Sequence, residues 1–262
     1  MYHFNVEKVL LQRALRKTRG KNAFENFLSQ LELIEELYVD VEQNISSPRL
    51  VQQARKQAII SLVSALEVFF KDTLKNTYDS GAFEDSQLLR NIPKHFFLND
   101  IENIIKHKVS VGELLASIFT FHSLRSINKV FSGLIGMNFF NQINRFEFEI
   151  EVEEEKKHDD IKKTTILHED YKVYQRMEEL YSLRPFITHD QPEKSIISEY
   201  QVQNFLGTAN LFAFVTDNYL KDLIQQNLKK QAEIQEAVQK EEEEFMKEES
   251  NYHIKNKKNH KQ

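Results

Sequence analysis

The sequence predicts an all-α protein, an antiparallel bundle with long helices near both ends of the chain. Three observations carry this. Only 6 Gly and 4 Pro occur in 262 residues, too few for the tight turns of a sandwich or barrel. Apolar residues recur at spacings of three and four over most of the length. Strict alternation of apolar and charged residues appears at one place only, "RFEFEIEVEEEKKHDD".

Residues 5–44 read as one long helix, on Val6, Val9, Leu10, Leu28, Leu31, Ile34 and Leu37, with Gly20 as a kink. "SSPRL" restarts the chain, with Ser47 as N-cap and Pro48 in the first turn. The next helix runs to about Tyr78. Its stripe is Ile59, Ile60, Leu62, Val63, Leu66, Phe69, Phe70 and Leu74, and Glu67 lies on it. Shorter helices follow over 79–145. One opens at Asn99-Asp100, and two more end at Gly133 and Gly136. The alternating stretch, 146–152, reads as a short strand or a mobile connector. A helix over 168–183 turns Tyr171, Tyr174, Met177, Leu180 and Tyr181 inward, with His168 as its cap. Ser198 and Gln201 then form a capping box for the most apolar helix, which carries Phe205, Leu206, Phe212 and Leu220. Beyond about Lys230 the periodicity fades into a charged extension, read as partly disordered. The domain plan is an N-terminal helix (1–45), a helical domain (46–230, with inserted helices at 80–160) and the extension (231–262).

Composition narrows function. A net charge of −5 argues against a dedicated non-specific nucleic-acid binder, so any RNA contact should be local. One basic segment stands out: Arg13, Arg16, Lys17, Arg19 and Lys21. A solvated helix face is its default reading, and RNA contact the alternative. No cysteine is present, which removes disulfides and thiolate metal sites. No apolar run approaches a membrane span, and no signal-like core opens the chain; the expectation is a cytoplasmic protein without membrane contact. "HDD" at 158 and "HED" at 168 lack a second histidine at helical spacing, so no metal and no cofactor are expected. Phosphate-cradling and nucleophile-elbow motifs are absent.

One short stretch has chemical interest. In "SLRPFITHD", Arg184 falls seven residues after Met177 and three after Tyr181, on the inward stripe. A guanidinium there needs a partner or a ligand, and Glu67 is its natural counter-ion. In a straight α-helix positions five apart diverge by about 140°. Pro185 removes an N–H and disfavours helix before it, so a kink there would bring His189 back toward Arg184. A second string, "RNIPKH", sets Arg90, Asn91 and His95 at the same spacing, but no long apolar helix flanks it directly. A purely structural reading of Arg184 is a buried pair with Glu67, whose loss would cost on the order of 3–5 kcal/mol.

The Arg-x4-His string near a helix end, after an earlier helix of the type "SALEVFFKDTL", resembles the HEPN superfamily. "VGELLASIFTFHSLRSINKVFSGLIGMNFF" is similar to linking helices of bacterial HEPN proteins of abortive-infection type. The resemblance covers roughly residues 50–225. It implies an all-helical bundle, often dimeric, and for many members metal-independent endoribonuclease activity in defence or toxin–antitoxin systems. RNA would be the substrate, and an antitoxin or defence protein a partner. Carried over, the active-site roles fall on Arg184 and His189, with Glu67, Tyr181 and Asp190 in support. Active members usually have a polar residue, commonly Asn, after the arginine; here it is Pro185. The resemblance also admits a non-catalytic HEPN-like module that binds RNA or a partner protein.

Overall fold

In the computed structural model, residues 6–19, 22–83, 86–91, 98–150, 162–164, 172–190 and 196–259 are described, with backbone alone at 18–19, 91, 98–99, 148–150, 162–164, 189–190, 245 and 247–259. Nine helices lie among the described residues: α1 (Val6–Arg19), α2 (Ala23–Asn44), α3 (Pro48–Asp79), α4 (Leu98–Lys106), α5 (Val111–Ile118), α6 (Leu124–Ile135), α7 (Phe139–Ile143), α8 (Lys172–Pro185) and α9 (Glu199–Asn259). A short 3₁₀ turn, Gln87–Asn91, precedes α4. The molecule is predominantly helical, as its spacing predicts.

The long N-terminal helix is two helices. Asn22 starts α2 afresh, because its side-chain oxygen accepts the amide of Glu25 at 2.9 Å. Gly20 lies outside the described residues. The buried stripe of α2 is Ala23, Phe27, Leu31, Ile34 and Tyr38, while Leu37 faces solvent. Pro48 opens α3, but Ser47 makes no side-chain cap bond. Gly133 does not end α6. It lies inside the helix, where a Cβ would come 3.3 Å from Leu88, and Gly136 at φ 76° provides the left-handed cap. The alternating stretch gives β1 (Phe148–Ile150), which pairs antiparallel with β2 (Lys162–Thr164). The partner strand is "KKT", which no apolar alternation announces. The charged C-terminal extension is helical through Asn259, so α9 is 61 residues long, about 90 Å. His158, His168 and Tyr171 lie outside the described residues.

α3 is the central element, packed against α2, α5, α6, α8 and α9. Phe70 sits at its middle, fully buried. Its ring meets those of Phe69, Phe121, Phe131 and Phe212 at centroid distances of 5.0, 5.8, 6.0 and 6.0 Å. Each such pair adds about 0.5–1.5 kcal/mol beyond burial itself. The three-residue α2–α3 connection makes those helices antiparallel neighbours. A bidentate Arg55–Glu42 pair closes that end, and Arg55 also donates to the carbonyl of Ile197 at 3.0 Å. Gln52 exchanges two hydrogen bonds with the backbone of Ile197, at 2.9 and 3.0 Å. These bonds tie the entry to α9 onto α3. α9 then begins with the expected box, Ser198 and Gln201 each accepting the other's amide.

The other end of α3 is locked by charge. Arg13 on α1 makes a bidentate pair with Glu113 on α5 and donates to the carbonyls of His107 and Lys108 at the end of α4. One side chain thereby satisfies a helix C-terminus and orders the next helix's capping box. Asp79 accepts the amide of Gly112 at 2.9 Å and the hydroxyl of Ser110 at 2.7 Å.

This junction can be probed at two places. A Cβ on Gly112 would stand 2.5 Å from Asp79 Oδ1 and 2.6 Å from the Lys75 carbonyl. Gly112→Ala should therefore lower stability by about 1–3 kcal/mol, whereas Gly207→Ala, in open space on α9, should raise it by about 0.5–1 kcal/mol; urea titration measures both. Burial pushes the Glu113 carboxyl up, but hydrogen bonds from Arg13 and the Ser110 amide, with the Arg13 charge, hold it below its usual value. A depressed carboxylate stabilises the fold above its unfolded pKa and loses that contribution as pH falls through the folded one. Glu113→Gln should then flatten the decline in melting temperature between neutral and acid pH relative to wild type.

Candidate functional site

The candidate site forms where α8 ends over the middle of α3. α8 is held by Val173, Met177, Leu180 and Tyr181, all buried. Met177 to Arg184 is two helical turns, so the stripe that buries Met177 and Tyr181 also carries Arg184 toward α3. There Arg184 Nη1 donates to Glu67 Oε1 at 2.5 Å. The Arg184 side chain makes no other hydrogen bond among the described residues. One Nη1–H is committed, and the remaining guanidinium donors have no partner among the described residues.

The pair is not a buried one. The side chains of Arg184 and Glu67 keep 32% and 23% of their surface. That corrects the expectation of a core guanidinium: the helix holds to Arg184, but α8 ends at the edge of the bundle.

The proline acts differently from a simple stop. α8 continues through Pro185 and widens into one π turn, Phe186–Asp190. Pro185 has no N–H to return to the carbonyl of Tyr181, so the α ladder breaks at that point. In the turn that follows, the Thr188 hydroxyl donates to the carbonyl of Arg184 at 3.0 Å. Ile187 is buried and pins the turn to the core. A π turn closes i to i+5, so its extra residue reduces the 140° divergence that positions 184 and 189 would show in a straight α-helix. His189 and Asp190 have their backbone in this turn, and their side chains lie outside the described residues.

Two further groups surround the pair. Tyr181 is buried, and its hydroxyl has no hydrogen-bond partner among the described residues. Burial, with the charge of Glu67, pushes its pKa far up, so it stays a protonated donor. Lys71 stands one turn after Glu67 on α3 and is half-buried. Burial lowers its pKa; Glu67 opposes this, while Lys8 and Arg16 add to it. Lys71 was not among the sequence candidates, although its i+4 spacing from Glu67 was a usable signal.

The other sequence candidates separate. Arg90 is exposed at the end of the 3₁₀ turn, and the Asn91 side chain and His95 lie outside the described residues. In the basic segment, Arg13 and Arg16 are committed to Glu113 and Asp72, each at 2.5 Å, and Lys17 is exposed. The Arg19 side chain and Lys21 lie outside the described residues. No cluster of three metal-ligating side chains occurs among the described residues, and no described helix is long and apolar enough to cross a membrane. Compared with protein families, with characterised proteins and with solved structures, the chain matches none.

Because both partners keep a quarter to a third of their surface, the ion pair contributes little to folding. Arg184→Ala should cost about 1 kcal/mol, not the roughly 3–5 kcal/mol of a fully buried pair. Thermal melting of the variant measures this, and a loss near the larger figure would make the contact a structural strut.

Proposed function

We propose that the chain is a HEPN-type, metal-independent endoribonuclease acting at Arg184 and His189, in a bacterial defence or toxin system. The observation that carries this reading is the Arg184–Glu67 pair: a guanidinium held at one nitrogen, with no other hydrogen bond among the described residues, directly before a π turn that contains His189. Such widened turns recur at functional sites.

The chemistry suits these groups. The ribose 2′-oxygen attacks the adjacent phosphorus, and the bond to the 5′-oxygen breaks. The products are a 2′,3′-cyclic phosphate and a 5′-hydroxyl. One proton leaves the 2′-hydroxyl and one reaches the departing oxygen. Histidine titrates in the range where it serves either transfer. Negative charge grows on the phosphate oxygens, and the open face of Arg184 offers paired donors to it. Glu67 sets the orientation of that face. Tyr181 holds a buried hydroxyl whose hydrogen bond is unspent in the free protein, a positioning group for Arg184 or Glu67. Asp190, next to His189 in the chain, would orient the imidazole. The resemblance adds a homodimer in which two such motifs meet, and an antitoxin or defence partner.

A second reading has its own observation. Pro185 stands where active HEPN proteins commonly carry a polar residue, which leaves the site one hydrogen-bonding side chain short. A binding module with a structural Arg–Glu pair accounts for that.

RNA cleavage by the purified protein in EDTA separates the two. Wild type should give 2′,3′-cyclic ends, and His189→Ala should lose about 10²–10⁴-fold in rate with its melting temperature unchanged. Cleavage that persists in His189→Ala removes the assignment. No cleavage by wild type leaves the binding module.

A further inference from the structure

A second cluster of charge begins one turn along α3 from the Arg184–Glu67 pair. Between α1, the end of α3 and the α4–α5 turn the chain leaves a cleft of about 520 Å³. Its three carboxylates are already matched. Asp72 takes Arg16 at 2.5 Å, Glu113 takes Arg13 at 2.5 Å, and Asp79 takes Lys75 at 3.2 Å. The same walls carry Lys17 and Lys108, both exposed, whose ammonium groups have no hydrogen-bond or ion-pair partner among the described residues. Arg16, also in the wall, keeps a buried Nη1 without a partner among the described residues. A buried donor left unmatched is uncommon and calls for an acceptor. The cleft therefore offers spare cationic donors and no spare carboxylate.

Lys71 connects this cleft to the candidate site. It lies near enough to both Glu67 and Arg16 for each to act on its charge. Positions 67, 71 and 75 follow one another along one face of α3, about 6 Å apart. The charge balance along the sequence is compatible with this. Residues 1–145, which include every residue lining the cleft, hold 18 Lys and Arg against 15 Asp and Glu, while residues 146–262 hold 17 against 25.

We infer that the cleft is a phosphate-binding subsite for the backbone of a single RNA strand whose scissile phosphate sits at Arg184. This rests on the nuclease reading. Lys17 and Lys108 contact backbone phosphates, Arg16 Nη1 supplies a buried donor, and Lys71 bridges to the reacting centre. A cleft of this volume takes a ligand of drug size, roughly one or two nucleotides, and is too small for a duplex.

The test uses the full chain and a short fluorescein-labelled 2′-O-methyl oligouridylate, which cannot be cut through its 2′-oxygen. Binding is followed by anisotropy over a range of KCl. Lys17→Gln combined with Lys108→Asn removes both exposed ammonium groups. Asparagine is chosen because Lys108 has φ 48°, a conformation it tolerates. Neither ammonium group holds another part of the described fold, so the variant should fold, and an unchanged melting temperature confirms it. The double variant should bind more weakly, with a log–log salt slope shallower by about 1.4, near 0.7 for each phosphate no longer neutralised. Lys240→Gln, on the exposed stretch of α9 beyond Gln231, should bind as wild type. An unchanged affinity and slope in the Lys17/Lys108 variant overturns the inference, as does wild type that does not bind the oligonucleotide. Calorimetric binding of inorganic phosphate that disappears in the variant, with oligonucleotide binding intact, overturns the strand and leaves a small-anion site. Failure of the nuclease reading looks different: cleft-dependent binding with no cleavage of ordinary RNA by wild type.

Discussion

Phe70 packs its ring against four others from α3, α6, α9 and the loop before α6, and this contact sets the register of α3. A helix locked at a buried aromatic cannot rotate without emptying that cluster; removing such a ring costs about 3–5 kcal/mol, against a total stability of about 5–15 kcal/mol. Everything polar on α3 inherits its direction from that constraint. Glu67 comes three residues before Phe70, and Lys71 and Asp72 directly after it. The core thus decides that one carboxylate meets α8, another meets α1, and the lysine between them lies within range of both. The charges did not organise the helix. Their individual contributions to stability are small where they remain solvated, and they go where the phenylalanines put them.

The end of α8 shows how a sequence conflict becomes a candidate site. Proline inside a helix removes a ladder bond, and the usual result is a stop or a kink. Here Ile187 is buried just beyond it, so the chain cannot leave the bundle at Pro185. The backbone widens by one residue instead, and the Thr188 hydroxyl donates to the Arg184 carbonyl within the widened turn. Arg184 is left at the last regular position before the widening. That leaves 32% of its side-chain surface in solvent, where a guanidinium can keep a carboxylate and still receive a ligand.

Much of this was legible in the sequence, for physical reasons that differ by element. The stripe of α3 and the inner face of α8 are long and strongly periodic, so their buried residues could be read from spacing alone. The contact of Arg184 with Glu67 followed from two charges on two inward stripes. Its exposure did not, because spacing gives the face of a helix and not the depth of its end. The split between α1 and α2 falls in residues 16–22, a polar stretch that interrupts the apolar pattern, and Asn22 caps the new helix there. The helix after Lys230 was missed because no core supports it; it rests on charged, helix-favouring residues whose pattern resembles that of a disordered tail. Arg13 and Arg16 read as a solvated basic face. Their carboxylate partners lie 100 and 56 residues away, a distance over which sequence carries no contact information.

In the proposed nuclease, Arg184 works through the shape of its donors and not only through its charge. Arg184→Lys tests that most directly, with melting temperature and cleavage of single-stranded RNA in EDTA measured on the same preparation. Lysine keeps the charge and can keep the contact with Glu67, but it lacks the planar fork. The expected result is a melting temperature close to wild type and cleavage lower by about 10²–10³-fold, the reduction typical of removing a donor to a developing oxyanion. Cleavage equal to wild type, or a decline that merely follows a drop in stability, would contradict this role for Arg184.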